Sequence, residues 1–291
     1  MLTFKKIEEK DLEAIKKHLK KQPFRTCDFT IFGIFLWADH YNYEYCVYED
    51  TFFLKGRSEE GLCDYAVPFG SLPTEKAIEI LREYCAEKGG NSRFNFVPQS
   101  ALKYFEGEKI RQLEGWSDYV YAAEDLKNLK GRKFNKKRNR LNKFMRSCTD
   151  CKFEPLTPEK TDEARAFFEV YLSEHSKEDE MFEAESLLIK KALDFFFEME
   201  QTGGLLYVNG TAVAMTIGEV IGDTLYVHVE KALRQYDGAY EAINYAYANR
   251  FAVDGVNYIN REEDMGDEGI RQAKMAYNPI EMINKYEVRL K

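Results

Sequence analysis

This sequence predicts an α/β (α+β) chain of two domains, and three observations carry that expectation. Its 291 residues exceed what one hydrophobic core ordinarily organises, so two domains of roughly 150 residues each are expected. Helical and extended periodicities alternate through both halves rather than separating into an all-helical and an all-strand part. In the second half, the dipeptide Asn209-Gly210 lies between two apolar runs, which is the strongest hairpin signal in the chain.

Composition narrows the class further. Hydrophobic residues make up 44% of the chain, enough for packed cores, and no run approaches the roughly 18 apolar residues of a membrane span. The N-terminal segment is charged and lacks the apolar core of a signal peptide, so a cytoplasmic protein is expected. Six cysteines are scattered except for Cys148 and Cys151, a C-x-x-C pair. A zinc site would need a second such pair or suitably spaced histidines, so no metal is expected and the thiols are read as reduced and structural. The net charge of −8 excludes a general attraction to nucleic acid, and any polyanion contact must be local.

In order, residues 1–22 read as a helix with Leu12, Ile15 and Leu19 on one face. The aromatic-rich stretch Phe24–Trp37 reads as core. Residues 43–48 and 51–55 flank Glu49-Asp50 as a hairpin, and residues 64–68 add a strand. Thr74–Lys88 is an amphipathic helix with Ala77, Ile78, Leu81 and Cys85 inward, stopped by Gly89-Gly90. A strand at 94–97, a helical turn at 100–105 and a strand at 119–122 complete a first unit, residues 1–124.

Residues 125–150 differ in kind. Ten Lys and Arg residues lie between Lys127 and Arg146 with no acid among them. Leu126, Leu129, Phe134, Leu141 and Phe144 keep a helical apolar stripe, so this reads as a helix docked between two domains with its basic face outward. Like charges at i,i+3 and i,i+4 repel by a few tenths of a kcal/mol per pair, a cost that favours a polyanion partner over plain solvation.

The second unit, residues 151–291, opens with a helix from Thr157 to Leu172 and another over 183–199 that buries Leu187, Leu188, Ala192, Phe195 and Phe196. His175 falls in the exposed loop between them. A meander follows (205–208, 211–220, 224–230), then a helix at 240–251, a strand at 256–259 and a last strand at 283–290. On the third meander strand Leu225, Val227 and Val229 alternate with Tyr226, His228 and Glu230, so one face is core and the other can present His228 or Glu230. The stretch 260–279 runs from a strand end through a charged turn into a short helix ended by Pro279. Asp264 and Asp267 suit its start, and Arg271 and Lys274 project together from one face while Ile270, Ala273 and Tyr277 share another.

This element order is similar to the Gcn5-related N-acetyltransferase fold. In that family a loop before a helix holds the cofactor's pyrophosphate on backbone amides. Here Gln235 and Gly238 match its pattern, Ala239 lies in the loop after them, and the bulky Tyr240 departs from it. A narrower resemblance rests on two motifs: Leu129 to Phe134 with Lys137, Arg138, Asn139, Asn142, Lys143 and Phe144, then Asn260 to Asp264, Gly266, Gly269, Arg271, Lys274, Tyr277 and Pro279. Together they resemble the C-terminal domain of phosphatidylglycerol lysyltransferases and its stand-alone relatives.

The resemblance implies two tandem acetyltransferase-like lobes, each a mixed, mostly antiparallel sheet flanked by helices and joined by the basic helix, as in Fem-type transferases. It also implies transfer of an aminoacyl group from aminoacyl-tRNA to an amine or hydroxyl of a small-molecule, lipid or peptide acceptor. Such an activated ester requires positioning, deprotonation of the acceptor and oxyanion stabilisation. Arg132, Lys133, Lys136, Lys137 and Arg138 are then the contacts to the tRNA acceptor stem, where proteins read phosphate and 2′-hydroxyl groups. Arg271 and Lys274 hold the terminal phosphate or the oxyanion, and Asn260 and Glu262 belong to the substrate site. Tyr277 protonates the leaving oxygen. His228 or Glu230 is the general base, with Glu262 and Asp264 as rivals. Two other readings stay open: acyl-coenzyme A-dependent transfer using Gln235, Gly238 and Ala239, and a non-catalytic tandem lobe that binds a polyanion.

Overall fold

Two tight turns show how locally the chain sets its sheets. At Asn209-Gly210 both residues take positive φ (49° and 77°), and at Glu49-Asp50 both do so again (48° and 50°), the left-handed pairs whose twist matches flanking antiparallel strands. The computed structural model describes residues 2–57, 63–88, 92–148, 150–174 and 180–290. Gly89-Gly90 and His175, read above as a helix stop and a loop residue, lie outside them. The chain divides into two units: Met1–Asp118 with Glu263–Asp267 and Met282–Lys291, and Tyr119–Glu262 with Glu268–Glu281.

Numbered along the chain, the first unit contains β1 (Lys5–Lys6), α1 (Leu12–Leu19), β2 (Glu44–Tyr48), β3 (Thr51–Arg57), β4 (Cys63–Tyr65), β5 (Phe69–Gly70), α2 (Thr74–Lys88), β6 (Ser92–Pro98), β7 (Lys109–Gln112) and β15 (Lys285–Arg289). Its sheet runs β1-β2-β3-β4-β6-β15-β7, with β5 also on β3. The inward face of α2, Ala77, Ile78, Leu81 and Cys85, packs in a core with Phe53, Phe94, Val97 and Val288. The N-terminal helix is shorter than its charge pattern suggested, because Lys5 and Lys6 pair with Tyr45 and Glu44 as an edge strand. The aromatic stretch is core, as its composition indicates: Phe29, Ile31, Phe32, Ile34, Phe35 and Leu36 are buried.

The second unit contains β8 (Asp118–Ala122, from its second residue on), α3 (Ala123–Asn128), α4 (Asn135–Ser147), β9 (Cys151–Pro155), α5 (Thr161–Ser173), α6 (Glu180–Asp194), β10 (Thr202–Val208), β11 (Thr211–Ile221), β12 (Thr224–Ala232), α7 (Ala239–Phe251), β13 (Tyr258–Asn260), α8 (Glu268–Met275) and the first residue of β14 (Glu281–Ile283), whose other two fall to the first unit. The sheet order is β14-β8-β13-β12-β11-β10-β9. Its β12–β13 pair is parallel, bridged by α7, and the meander is antiparallel.

Three features differ from the sequence reading. First, residues 119–122 pair with β13 in the second sheet, and β15 pairs with β6 and β7 in the first, so the units do not follow the expected boundaries at 124 and 150. Second, the basic segment is not one helix between domains. Positive φ at Leu129 (49°) and Gly131 (88°) breaks it into α3, a 3-10 turn at Arg132–Phe134 and α4, and both helices pack on α7 of the second unit. Third, Leu187 is exposed, because the inward stripe of α6 is Ile189, Ala192 and Leu193 and continues to Phe196 and Met199.

Candidate functional site

The strand β12 does not keep the simple alternation that its sequence suggests. Ile217 pairs with Val229 and Gly218 with Val227, so His228 has no partner across the ladder and forms a bulge. Gly218 is required there: a Cβ would lie 1.9 Å from the Tyr226 carbonyl oxygen and 2.4 Å from the Tyr247 hydroxyl. The bulge turns His228 inward between two carboxylates. Its Nδ1 is 2.6 Å from Glu262 and its Nε2 is 2.9 Å from Glu219, with the side chain fully buried. Burial works against the charged ring, but the hydrogen bonds to Glu219 and Glu262 outweigh it and raise the pKa to about 9. At neutral pH this is an imidazolium donating from both nitrogens, with no lone pair to act as the general base expected of it.

One residue further, Glu230 accepts from Arg261 Nη2 at 2.7 Å and from Asn244 Nδ2 at 3.1 Å. Arg261 also lies over the Tyr277 ring at 4.8 Å, and Lys137 stacks over that ring at 4.2 Å. Lys137 is paired with the buried Glu241 at 3.1 Å, and Arg140 reaches the same oxygen at 3.3 Å. Burial lowers the Lys137 pKa against the pull of Glu241. Burial raises the Tyr277 phenol well above its ordinary range, so it keeps its proton. The result is a buried network of Lys137, Glu230, Glu241, Asn244, Arg261 and Tyr277 beside the strand that carries His228. Four side-chain atoms around it are buried with no hydrogen-bond partner: Thr216 Oγ1, Glu241 Oε2, Asn244 Oδ1 and Arg261 Nη1.

Other expected residues serve the backbone around this network. Lys274 donates to the Arg261 carbonyl at 2.5 Å, which holds the strand end that presents Arg261 and Glu262. Asn260 is fully buried and accepts from the Glu262 amide at 2.7 Å. Arg271 reaches Glu268 at 3.5 Å on the surface of α8. Asp264 belongs to the first unit, where its Oδ1 accepts from the Gly266 amide at 2.8 Å in a tight turn.

The cations expected to meet RNA divide by environment. Lys137 is taken by Glu241. Arg138 folds back onto the carbonyls of Leu129 (2.5 Å) and Gly131 (3.2 Å), where the helix breaks, and Lys133 pairs with Asp125 at 2.7 Å. Arg132 and Lys136 are exposed and form no ion pair among the described residues. Lys136 continues into a face of α4 whose Asn139, Asn142, Lys143 and Arg146 line a groove.

The loop matched to pyrophosphate binding is also occupied. Gly238 has φ 93°, and a Cβ there would meet the Arg140 carbonyl oxygen at 2.8 Å and Phe144 Cβ at 2.9 Å. Asp237 pairs with Arg140 (3.1 Å) and Lys143 (2.8 Å), Gln235 donates to Glu174 at 3.2 Å, and Ala239 is buried.

A second charged centre, invisible in the sequence, lies within the first unit. The fully buried Lys285 ammonium is 2.7 Å from Asp118, 2.8 Å from Asp28, 3.5 Å from Glu263 and 3.3 Å from Cys27 Sγ. Cys27, Asp118 and Glu263 carry donor atoms of metal-site type within 4.8 Å of one another, and the ammonium sits among them as their cation. Burial, opposed by Lys285 and reinforced by the neighbouring Asp118, pushes the Asp28 carboxyl up to about 7. Cys148 and Cys151 are half-buried free thiols.

Glu219, Glu241, Asn244 and Arg261 also escaped the sequence reading. Their signal was present as polar residues at core positions: Glu219 in an apolar strand, and Glu241 and Asn244 at i,i+3 on α7 among Ala239, Ala242, Ile243 and Tyr247.

Two mostly antiparallel sheets flanked by helices, one with a bulged strand beside a Gly-bearing loop and helix, define a tandem acetyltransferase-type fold. A tandem GNAT protein from the clavulanic acid biosynthesis pathway shares that fold at a TM-score of 0.51 and 5% identity, over 99% of this chain and 98% of the other. Within that class the chain belongs to the family described as phosphatidylglycerol lysyltransferase, C-terminal, whose model matches residues 23–289. A conserved protein of unknown function from Bacteroides thetaiotaomicron is similar throughout, with 32% identity, full coverage of both chains and a TM-score of 0.89. The C-terminal domain of a putative lysylphosphatidylglycerol synthetase from Agrobacterium fabrum shares the fold at 0.71 and 13% identity, over 97% of this chain and 92% of the other. An uncharacterized protein of Mycoplasmoides gallisepticum is 20% identical over 61% of this chain, which spans 57% of that relative's length. Family membership makes the chain acyltransferase-like. Among the described residues no helix is long and apolar enough to cross a membrane.

Proposed function

We propose that this chain transfers an aminoacyl group from aminoacyl-tRNA to an amine or hydroxyl acceptor. The observation that carries this reading is the state of the loop before α7. An acyl-coenzyme A donor would bring its pyrophosphate to that helix N-terminus. The backbone of α4 packs against Gly238 there, and the Asp237 carboxylate, held by Arg140 and Lys143, would repel the anion. The exposed Arg132 and Lys136, with the Asn139 to Arg146 face of α4, offer the local positive surface that an RNA backbone requires in a chain of net charge −8.

The buried network supplies the chemistry in this reading. The ester is already activated, so the demand falls on positioning and on stabilising the tetrahedral oxyanion. Arg261, pinned by Glu230 and stacked on Tyr277, directs a spare N–H for that purpose and pays no reorganisation during the reaction. Tyr277 keeps its proton and can deliver it to the leaving 3′-oxygen. Glu230 is the carboxylate that takes the acceptor's proton, while the His228 imidazolium fixes Glu219 and Glu262.

The test is a side-by-side transfer assay of purified protein with labelled aminoacyl-tRNA and labelled acetyl-coenzyme A against a panel of amines and alcohols. Label should move to an acceptor from the tRNA ester only. Transfer from acetyl-coenzyme A alone would overturn the reading.

A further inference from the structure

We propose that a groove on the first unit, between α1 and the outer face of the β1–β2 pair, binds a small monocarboxylate with an apolar tail, whose carboxylate is held by His18 and Lys17. The groove has a volume of about 570 Å³, within the range of small-molecule sites. Ala14, Lys17 and His18 reach it from α1, where their i, i+3, i+4 spacing puts them on one face. Lys5, Tyr45 and Val47 reach it from the strands. Lys5 pairs directly with Tyr45, and Val47 lies two residues further along the same face of β2.

His18 is the residue in this wall that folding alone does not account for. Its side chain is only 8% exposed, yet its ring nitrogens form no hydrogen bond among the described residues. Asp50 Oδ1 lies 4.0 Å from Nδ1, beyond hydrogen-bond reach, and the other Asp50 oxygen accepts from the Ser71 hydroxyl at 2.9 Å. Phe52 stacks on the imidazole at 6.0 Å and fixes its plane. Buried polar groups are ordinarily paired, so an unpaired imidazole in the wall of a groove marks a place that a ligand completes.

The rest of the groove selects the ligand. Lys5 is already paired with Asp11 at 2.6 Å and lies over the Tyr45 ring at 5.0 Å. Lys17 is exposed and forms no ion pair among the described residues. Ala14, the Tyr45 ring and the outward Val47 side chain, 42% exposed, supply an apolar floor. A cationic ligand would meet both lysines, inorganic phosphate would leave the floor uncovered, and an alcohol would leave Lys17 without a counter-charge. A monocarboxylate with a tail accepts charge-assisted hydrogen bonds at one end and covers apolar surface with the other.

Binding is linked to a proton. Burial holds His18 below its ordinary pKa, with Asp50 opposing and Lys21 and Lys17 reinforcing, so the ring is neutral in the free protein at neutral pH. Lys5, Tyr45, Cys46 and Tyr48 are the titratable groups on the strand side of the groove. A bound carboxylate adds a second anion beside Asp50 and favours the imidazolium, which donates to the ligand. Affinity therefore rises as pH falls from about 7.5 to about 5.5.

The test is an NMR titration of protein with labelled histidine rings against n-hexanoate, n-hexanol and inorganic phosphate. Hexanoate should bind on the order of tenfold or more tightly than either control and should move the His18 ring signals. Lys17→Met and His18→Phe should each weaken hexanoate binding about tenfold, and His18→Phe keeps a ring to stack on Phe52. Val47→Asp should abolish binding by placing a charge on the floor. Lys17 and Val47 are exposed, so these two variants test the site even where His18→Phe fails to fold. No hexanoate binding at millimolar concentration, equal binding of hexanol or phosphate, indifference to Lys17→Met, or movement of the His40 or His228 signals in place of those of His18 would overturn the site. A dissociation constant that stays flat with pH would overturn the proton linkage.

Discussion

Replacing His228 with asparagine should remove a pH-dependent share of the protein's stability. The ring is fully buried between Glu219 and Glu262, and its pKa rises from an ordinary value near 6.5 to about 9. Because the folded state holds this proton more tightly than the unfolded state, the stabilisation is complete below about pH 6.5 and is lost as pH rises through about 9. The size of the rise corresponds to about 3 kcal/mol across that window. Urea unfolding of wild type and His228→Asn at matched pH values from about 6 to 10 isolates this contribution, since the other titrating groups are common to both. The stability difference should be largest at the acid end and shrink by about 3 kcal/mol toward the alkaline end. A difference that stays flat across the window would show that the buried ring is neutral and would refute the imidazolium assignment.

Three further outcomes follow from the same geometry. Asp28→Asn should gain stability relative to wild type as pH rises from about 5 to 8, because the wild-type carboxyl, pushed up to about 7, must ionise among Asp118 and Glu263; thermal melts at the two ends measure it, and an opposite trend contradicts it. Gly238→Ala should cost at least about 2 kcal/mol, since it combines φ 93° with a Cβ 2.8 Å from the Arg140 carbonyl oxygen; an unchanged melting temperature would show that α4 gives way. The double reversal Arg132→Glu with Lys136→Glu should weaken RNA binding and lower the salt slope by about 2, whereas Lys137→Met should lower stability by breaking its buried pair with Glu241; filter binding over a salt series and denaturant melts read the two effects, and the reverse pattern would mean that the two faces of α4 have been misassigned.

Much of the fold was legible because its signals are local. Asn209-Gly210 announced the central hairpin, and the spacing of Ala77, Ile78, Leu81 and Cys85 gave the buried face of α2. The strands that cross between units were not legible. Nothing in residues 285–289 tells whether they pair with β6, nearly two hundred positions earlier, or with the meander just before them. The functional residues lay between these extremes. His228 was singled out, but strict alternation cannot foresee a bulge, and the only local hint was Gly218 opposite it. Lys137 could have been recognised as buried, because it falls three residues after Phe134 and four before Leu141 on the apolar stripe of α4. Glu241 and Asn244 were passed over because a polar residue on an apolar helix face gains meaning only when its partner, here Lys137 or Glu230, comes into view from another element. The Lys285 centre depends on contacts between residues up to 258 positions apart and had no sequence signature.

The central claim is that the protein distinguishes an aminoacylated RNA end from a bare one. Equilibrium binding of the same tRNA with and without its aminoacyl group, at one fixed salt concentration, tests it most directly. Tighter binding of the charged form is predicted. Equal affinity for the two forms would contradict it.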